Sequence, residues 1–412
     1  MSTINTSSTF RIYFIALLIL FQLVVVFYGI RFPVWGDEGH FIDTIKDFGR
    51  ELNLKTLTTY NEMSTPLPFI LYSFWGRIFN FELITLRLFS LLLGVVTYLL
   101  AYKLFLSALN DKYKSLLLTA LLIVNPYMIG FSIFVFTDML AILFLILASL
   151  ACLKRNTLLL SISLACAVLC RQYLVFLTVA VGVYYLLRYV KEKNIVDLKM
   201  ILGIVLSSLP MVALLLLWKG ASPDNVWRRV YQHDVLSFHP ESLTLYIAQC
   251  FIYLLPVVLV YWKTFYKHSK VLISSIILSL LYWIFPIKAS YYSSELHQVP
   301  TVGFFHKFIR ATFGNGFEQA VFYLCFLLAL PIILTILIHT YTKLTLKKYD
   351  FLFFLEITLF AFLLIMPFTY LSWEKYFMPI FHILAMLILL LSATLSPTIY
   401  PKNTLDGSFL PS

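Results

Sequence analysis

Asp37 and Glu38 stand side by side directly after the first long apolar run, residues 12–30, in a 412-residue chain that is 61% hydrophobic and has only 20 acids. Two adjacent carboxylates at the mouth of a membrane helix are costly to place unless they meet water, a cation or a substrate. An ordinary solvated loop end is the plain alternative. An ionised carboxylate can take a proton from a hydroxyl, and a fixed Arg or Lys can hold a phosphate. Further residues suited to such work are Asp138, Arg171, His233, His239, Glu241, Glu295, His297, Glu374 and Lys375. Each falls in a polar loop or at the end of an apolar run.

The elements that must position them are membrane helices. A mean hydropathy of +0.88, 17% aromatic residues and 12% charge describe a polytopic membrane protein and exclude a soluble domain. A bilayer core about 30 Å thick needs roughly 20 apolar helical residues. About twelve such runs are expected, at 11–30, 85–106, 115–134, 139–153, 157–170, 172–189, 200–219, 244–262, 271–287, 320–341, 350–371 and 376–396. The first has no small-residue cleavage site and reads as a retained helix. Residues 1–396 read as a single membrane-embedded domain and 397–412 as a short polar tail. The five cysteines, Cys152, Cys166, Cys170, Cys250 and Cys325, all lie in apolar runs without a CxxC pair, and so read as core residues.

The net charge of +11 needs no nucleic-acid partner, and its placement gives orientation. Basic connectors follow alternate spans: Lys103, Lys112 and Lys114; Lys154 and Arg155; Arg188, Lys191, Lys193 and Lys199; Lys263, Lys267 and Lys270; Lys343, Lys347 and Lys348. By the positive-inside rule this side, with both termini, is cytosolic. Loops 31–84, 220–243 and 288–319 then share the other face with every residue named above as fit for chemistry. In the first of these loops, Phe41, Ile45, Phe48 and Leu52 repeat at helical spacing opposite Asp43, Lys46, Asp47 and Arg50. That pattern predicts an amphipathic helix in the membrane interface, with the acidic pair at its N-terminal end, where the helix dipole favours negative charge. A second apolar stretch, 69–81, reads as interfacial or re-entrant.

Several short motifs occur in an order that resembles the GT-C class of glycosyltransferases, which use polyprenyl-phosphate-linked sugars. They are Gly36-Asp37-Glu38 with His40, Thr65-Pro66, Phe136-Thr137-Asp138, Cys170-Arg171-Gln172 and Ser237-Phe238-His239-Pro240-Glu241. They look closest to the dolichyl-phosphate-glucose alpha-1,2-glucosyltransferase branch. Where that branch has His-x-Pro-Gln, this chain has Phe41-Ile42-Asp43. Trp373-Glu374-Lys375-Tyr376 instead looks like the protein O-mannosyltransferase and aminoarabinose transferase branches. The resemblance implies an all-helical, GT-C-like transmembrane bundle. It further implies a hexosyltransferase in a bacterial plasma membrane or endoplasmic reticulum, with its site on the non-cytosolic face. Its expected partners are a polyprenyl- or dolichyl-phosphate sugar donor and a glycan, lipid or protein hydroxyl.

The residues fit that chemistry on their own terms. A sugar on a lipid phosphate carries a good leaving group, so a cation for the phosphate and a base for the acceptor hydroxyl suffice. Asp37 is the expected base, with inversion at the anomeric carbon, and Glu38 the residue that holds the acceptor, a backbone donor or Asp37. Arg171 and Lys375 are the expected phosphate ligands. Asp138 either orients Arg171 or faces water at a span end. His239 and Glu241 either touch the acceptor or open a helix. Glu374 is a further supporting residue. No cofactor is required; Asp37, Glu38 and Asp138 would suit Mg²⁺ or Mn²⁺, and no zinc spacing appears. The competing reading is a transporter or lipid flippase, which predicts inverted repeats and ionisable groups in mid-membrane. A non-catalytic membrane scaffold is a third.

Overall fold

The computed structural model describes residues 6–223, 238–287, 303–369 and 373–395, with side chains from Ile15 onward. Helices form at every apolar run, and no strand occurs among the described residues. Six helices are long and apolar enough to cross a membrane: Leu83–Leu109, Gln172–Glu192, Ile195–Trp218, Asn315–Thr345, Phe351–Phe368 and Glu374–Leu395. The number rises to seven if one bent pair is counted, which is fewer than the expected twelve. The physical reason is visible at the breaks. Asn125 caps Pro126–Ile133 by accepting from the amides of Tyr127 and Met128, and Pro126 supplies no amide to continue the preceding helix, so run 115–134 bends by 69°. Run 244–262 likewise divides into Pro240–Ile252, Leu255–Val260 and Trp262–Tyr266.

Contacts divide the chain into two units, Met1–Phe238 with Phe368–Tyr370, and His239–Pro367 with Leu371–Ser412. The first contains α1 (Thr6–Gly29), α2 (Glu38–Arg50), α3 (Leu54–Thr59), α4 (Leu67–Phe79), α5 (Leu83–Leu109), α6 (Lys112–Ile123), α7 (Pro126–Ile133), α8 (Asp138–Lys154), α9 (Thr157–Cys170), α10 (Val175–Glu192) and α11 (Ile195–Trp218). Three of its hairpins are built alike. Asn110, Arg155 and Lys193 each close a helix in the left-handed region. The following Asp111, Asn156 and Asn194 each cap the next helix with a side-chain oxygen. Across these turns α5 packs on α6, α8 on α9 and α10 on α11.

At the other end of this unit lies the first loop. The expected amphipathic helix is present as α2, but Leu52 falls beyond it. Its apolar face does not rest on lipid: Phe41, Ile45 and Phe48 are buried, and Phe41 and Phe48 meet Phe69 of α4. Arg77 of α4 donates to the Phe48 and Gly49 carbonyls and so closes the C-terminal end of α2.

A buried ion pair ties this loop to the bundle. Arg87, one turn into α5, is fully buried, as is Glu38, and donates through Nε and Nη2 to the two carboxylate oxygens at 2.9 and 2.5 Å. It also donates to the carbonyls of Gly29, Ile30, Phe32 and Pro33. Glu38 in turn accepts from the amides of Trp35 and Val135.

In the second unit, Pro240–Ile252 and Ser269–Ser279 pack on the long helix Glu318–Thr345, and Phe351–Ile365 packs on Met378–Leu395. A short amphipathic helix, Phe304–Phe313, docks beside the start of Glu318–Thr345. Removing either partner of the Glu38–Arg87 pair strands a buried charge, so Glu38→Gln or Arg87→Met is expected to cost about 3–5 kcal/mol. The double variant is expected to cost less than the sum of the two. Thermal unfolding in mild detergent reads this out, and unchanged midpoints in both single variants would refute the clasp.

Candidate functional site

Gly36 sits at φ +58°, in the left-handed region that glycine enters without strain, and this turn delivers the chain into α2. Asp37 takes the N-cap position but makes no side-chain capping bond. Its side chain is 32% exposed, whereas Glu38, the next residue, points into the clasp with Arg87. Of the three expected roles for Glu38, holding a backbone donor is the one the geometry displays, at the amides of Trp35 and Val135.

Three residues beyond Asp37, His40 shares its face of the helix. His40 Nε2 is 3.8 Å from Asp37 Oδ1, a charge contact, while Nδ1 is 2.5 Å from Glu62 Oε1. Glu62 comes from the loop between α3 and α4 and is nearly buried, with Thr44 Oγ1 a further donor at 3.5 Å. Burial works against charging His40, but its contacts with Asp37 and then Glu62 more than offset this and raise its pKa to about 9. Burial lifts the Glu62 carboxyl above its ordinary range, against the opposing pull of His40 and Arg171. Asp37 adds to the lift.

Side chains from the helix ends lock the Glu62 loop. Gln172 donates to the carbonyls of Met63 and Ala221, Thr65 donates to that of Val168, and the Tyr60 hydroxyl donates to that of Ser64. Beside Gln172, Arg171 donates through Nη2 to Asp138 Oδ2 at 2.7 Å, and both residues are buried. Asp138 therefore orients Arg171 rather than facing water. Arg171 is close enough to act on the Glu62 carboxyl by charge, so Asp37, His40, Glu62, Arg171 and Asp138 form one connected group in the first unit.

The second unit holds the other expected residues. Glu374 is buried and accepts from the Tyr253 hydroxyl, from the amides of Phe305 and His306 and from His306 Nδ1. It thereby caps the N-terminal end of Phe304–Phe313, so closely that a side chain at Gly303 would collide with it. His306 Nε2 lies 3.6 Å from Glu318, which also binds Arg310. Lys375 lies over the Trp373 ring at 4.2 Å. His239 lies 3.5 Å from Glu241 at the start of Pro240–Ile252, and its amide donates to the Pro367 carbonyl, as a helix opening requires.

Sequence reasoning did not single out Glu62, Arg87 or His306. It quoted His40 and Gln172 only within motifs. Arg87 carried a signal, a lone cation inside an apolar run. His233, Glu295 and His297 lie outside the described residues. Among the described residues, no group of three or more His, Cys, Asp or Glu is placed to hold a metal ion. Of the carboxylates that would suit Mg²⁺ or Mn²⁺, Glu38 and Asp138 each face an arginine instead.

Residues 41–223 match the model of a family described as a predicted membrane protein, DUF2079. The match spans less than half of the chain. It includes Glu62, Arg87, Asp138, Arg171 and Gln172 and begins after Asp37, Glu38 and His40. No curated protein and no solved structure matches the chain. With its six helices of spanning length, the match marks the chain as a multi-pass integral membrane protein.

Proposed function

We propose that this chain is a GT-C-like membrane glycosyltransferase that moves a hexose from a polyprenyl- or dolichyl-phosphate donor to a hydroxyl of a lipid-linked glycan or similar acceptor. The observation that carries the reading is the half-exposed Asp37 beside a fully neutralised Glu38, in one connected group with the cations His40 and Arg171. The family matched over residues 41–223 is a GT-C-like one, in keeping with this reading.

In the proposed reaction the acceptor oxygen attacks the anomeric carbon as the bond from that carbon to the phosphate oxygen breaks. The configuration inverts, and the departing lipid phosphate keeps the bonding electron pair. Asp37 takes the hydroxyl proton, which contributes about 10²–10⁴-fold. Arg171, held by Asp138, supplies fixed positive charge where the phosphate gains negative charge. The reaction needs neither a redox partner nor a second nucleophile.

The test is transfer by the purified full-length chain in lipid nanodiscs, using radiolabelled polyprenyl-phosphate hexoses and a lipid extract as acceptor. Asp37→Asn is expected to lower transfer about 100-fold or more while donor binding persists. Near wild-type transfer by that variant would remove Asp37 as the base. Solute or lipid movement with no transfer from any donor would favour the transporter reading.

The proposed orientation has its own test. In a background lacking the native cysteines, Asp37→Cys is expected to react with an impermeant maleimide only from the non-cytosolic side. Asn110→Cys, in a basic hairpin, is expected to react only from the cytosolic side. Labelling of both from the same side would overturn the orientation.

A further inference from the structure

We propose that His40 positions Asp37 for proton transfer and that Glu62 holds His40 in place for that task. The inference rests on reading Asp37 as the base and extends the site to two positioning residues.

The argument begins with spacing. Asp37 and His40 lie three residues apart at the start of α2 and therefore share one face. The two imidazole nitrogens face different carboxylates, Nδ1 the Glu62 oxygen at 2.5 Å and Nε2 the Asp37 oxygen at 3.8 Å. Asp37 and His40 are 32% and 46% exposed, whereas Glu62 is only 6% exposed. The innermost group is thus the most firmly held. Its loop is tied at Met63, Ser64 and Thr65 by Gln172, Tyr60 and the Val168 carbonyl. A buried carboxylate that fixes one ring nitrogen of a histidine sets the orientation of the other. Here the other nitrogen faces the proposed base rather than the substrate.

Charge supports the geometry. The groups acting on His40 are Asp37 from its own helix and Glu62 from the neighbouring loop. Glu62 is acted on in turn by His40, Asp37 and Arg171, and Arg171 is paired with Asp138. His40 is therefore a cation at neutral pH and loses its charge only as the pH rises through about 9. Below that pH a positive ring stands beside Asp37 and orients its carboxylate. Above it the hold on Asp37 is released.

The experiment is the pH profile of kcat for hexose transfer from a polyprenyl-phosphate hexose, using the full-length chain in nanodiscs. The wild type is expected to lose activity on an alkaline limb near pH 9. Glu62→Gln removes the innermost negative partner, so His40 should release its proton earlier and the limb should move acidward by about 1–2 pH units, with KM for the donor little changed. Glu62→Asp should restore part of that displacement. His40→Gln should lower kcat about 10-fold and abolish the limb.

A second readout needs no turnover. In protein labelled with ¹³C-histidine, the resonance missing from His40→Gln should titrate near pH 9 in the wild type and lower in Glu62→Gln. Identical alkaline limbs and identical titrations in the wild type and Glu62→Gln would overturn the inference. If Asp37→Asn is inactive in that case, the transferase reading survives. A fully active Asp37→Asn would instead remove the base on which the inference rests.

Discussion

The structure of the first unit depends on two charges that never meet water. Taking an arginine and a glutamate out of solvent costs several kcal/mol for each ion, and their attraction offsets this only with good geometry and further hydrogen bonds. Glu38 and Arg87 meet both conditions. Arg87 spends its donors on both carboxylate oxygens and on four carbonyls at the end of α1 and just beyond it. Glu38 takes amides from the turn before it and from the approach to α8. One side chain therefore joins the exit of α1, the start of α5 and the entry to α8. It also determines where Asp37 points. Successive residues on a helix are rotated by about 100°, so a Glu38 locked inward turns its neighbour toward a different face.

Buried backbone groups must find hydrogen-bond partners, and irregular stretches cannot supply them from a helix ladder. The stretch from Glu51 to Pro66 has little regular structure, yet side chains from elsewhere meet its carbonyls. Trp218 donates to Leu57 and Gln172 to Met63. Trp218 is the last residue of α11 and Gln172 opens the Gln172–Glu192 span. The position of Glu62 is accordingly set by contacts to the bundle as well as by its own short loop. The same holds for His40, whose ring Glu62 fixes.

Much of this was legible in the sequence, for reasons that differ between elements. The 3.6-residue repeat of Phe41, Ile45 and Phe48 announced α2, because one face had to be buried; it did not reveal that α4 rather than lipid would bury it. The acidic pair announced a special position, but neighbours in sequence looked equivalent and only packing separated them. Glu62 was not visible because Asn61-Glu62-Met63-Ser64 reads as an ordinary polar turn. Its partner His40 lies 22 residues away, and nothing local marks the pairing. Twelve apolar runs yield only six helices of full spanning length among the described residues, because apolar content fixes neither the length nor the straightness of a helix. Asn125-Pro126 was a readable break inside run 115–134.

A base must be reachable by its substrate, whereas a clasp is buried among the bonds it makes. Glu374 resembles Asp37 in sequence, an acid at the outer end of an apolar run, yet it receives four donors: the Tyr253 hydroxyl, two amides and a His306 nitrogen. Glu38 is similarly occupied by Arg87 and two amides. A carboxylate in that condition can take a new proton only by giving up bonds that hold helices together, so the barrier to its acting as a base includes part of the stability of the fold. Asp37 is placed otherwise: its side chain makes no helix-capping bond, it is 32% exposed, and it stands 3.8 Å from the His40 ring. Exposure thus favours Asp37 over Glu38 and Glu374 as the proposed base, while those two buried acids keep their surroundings still.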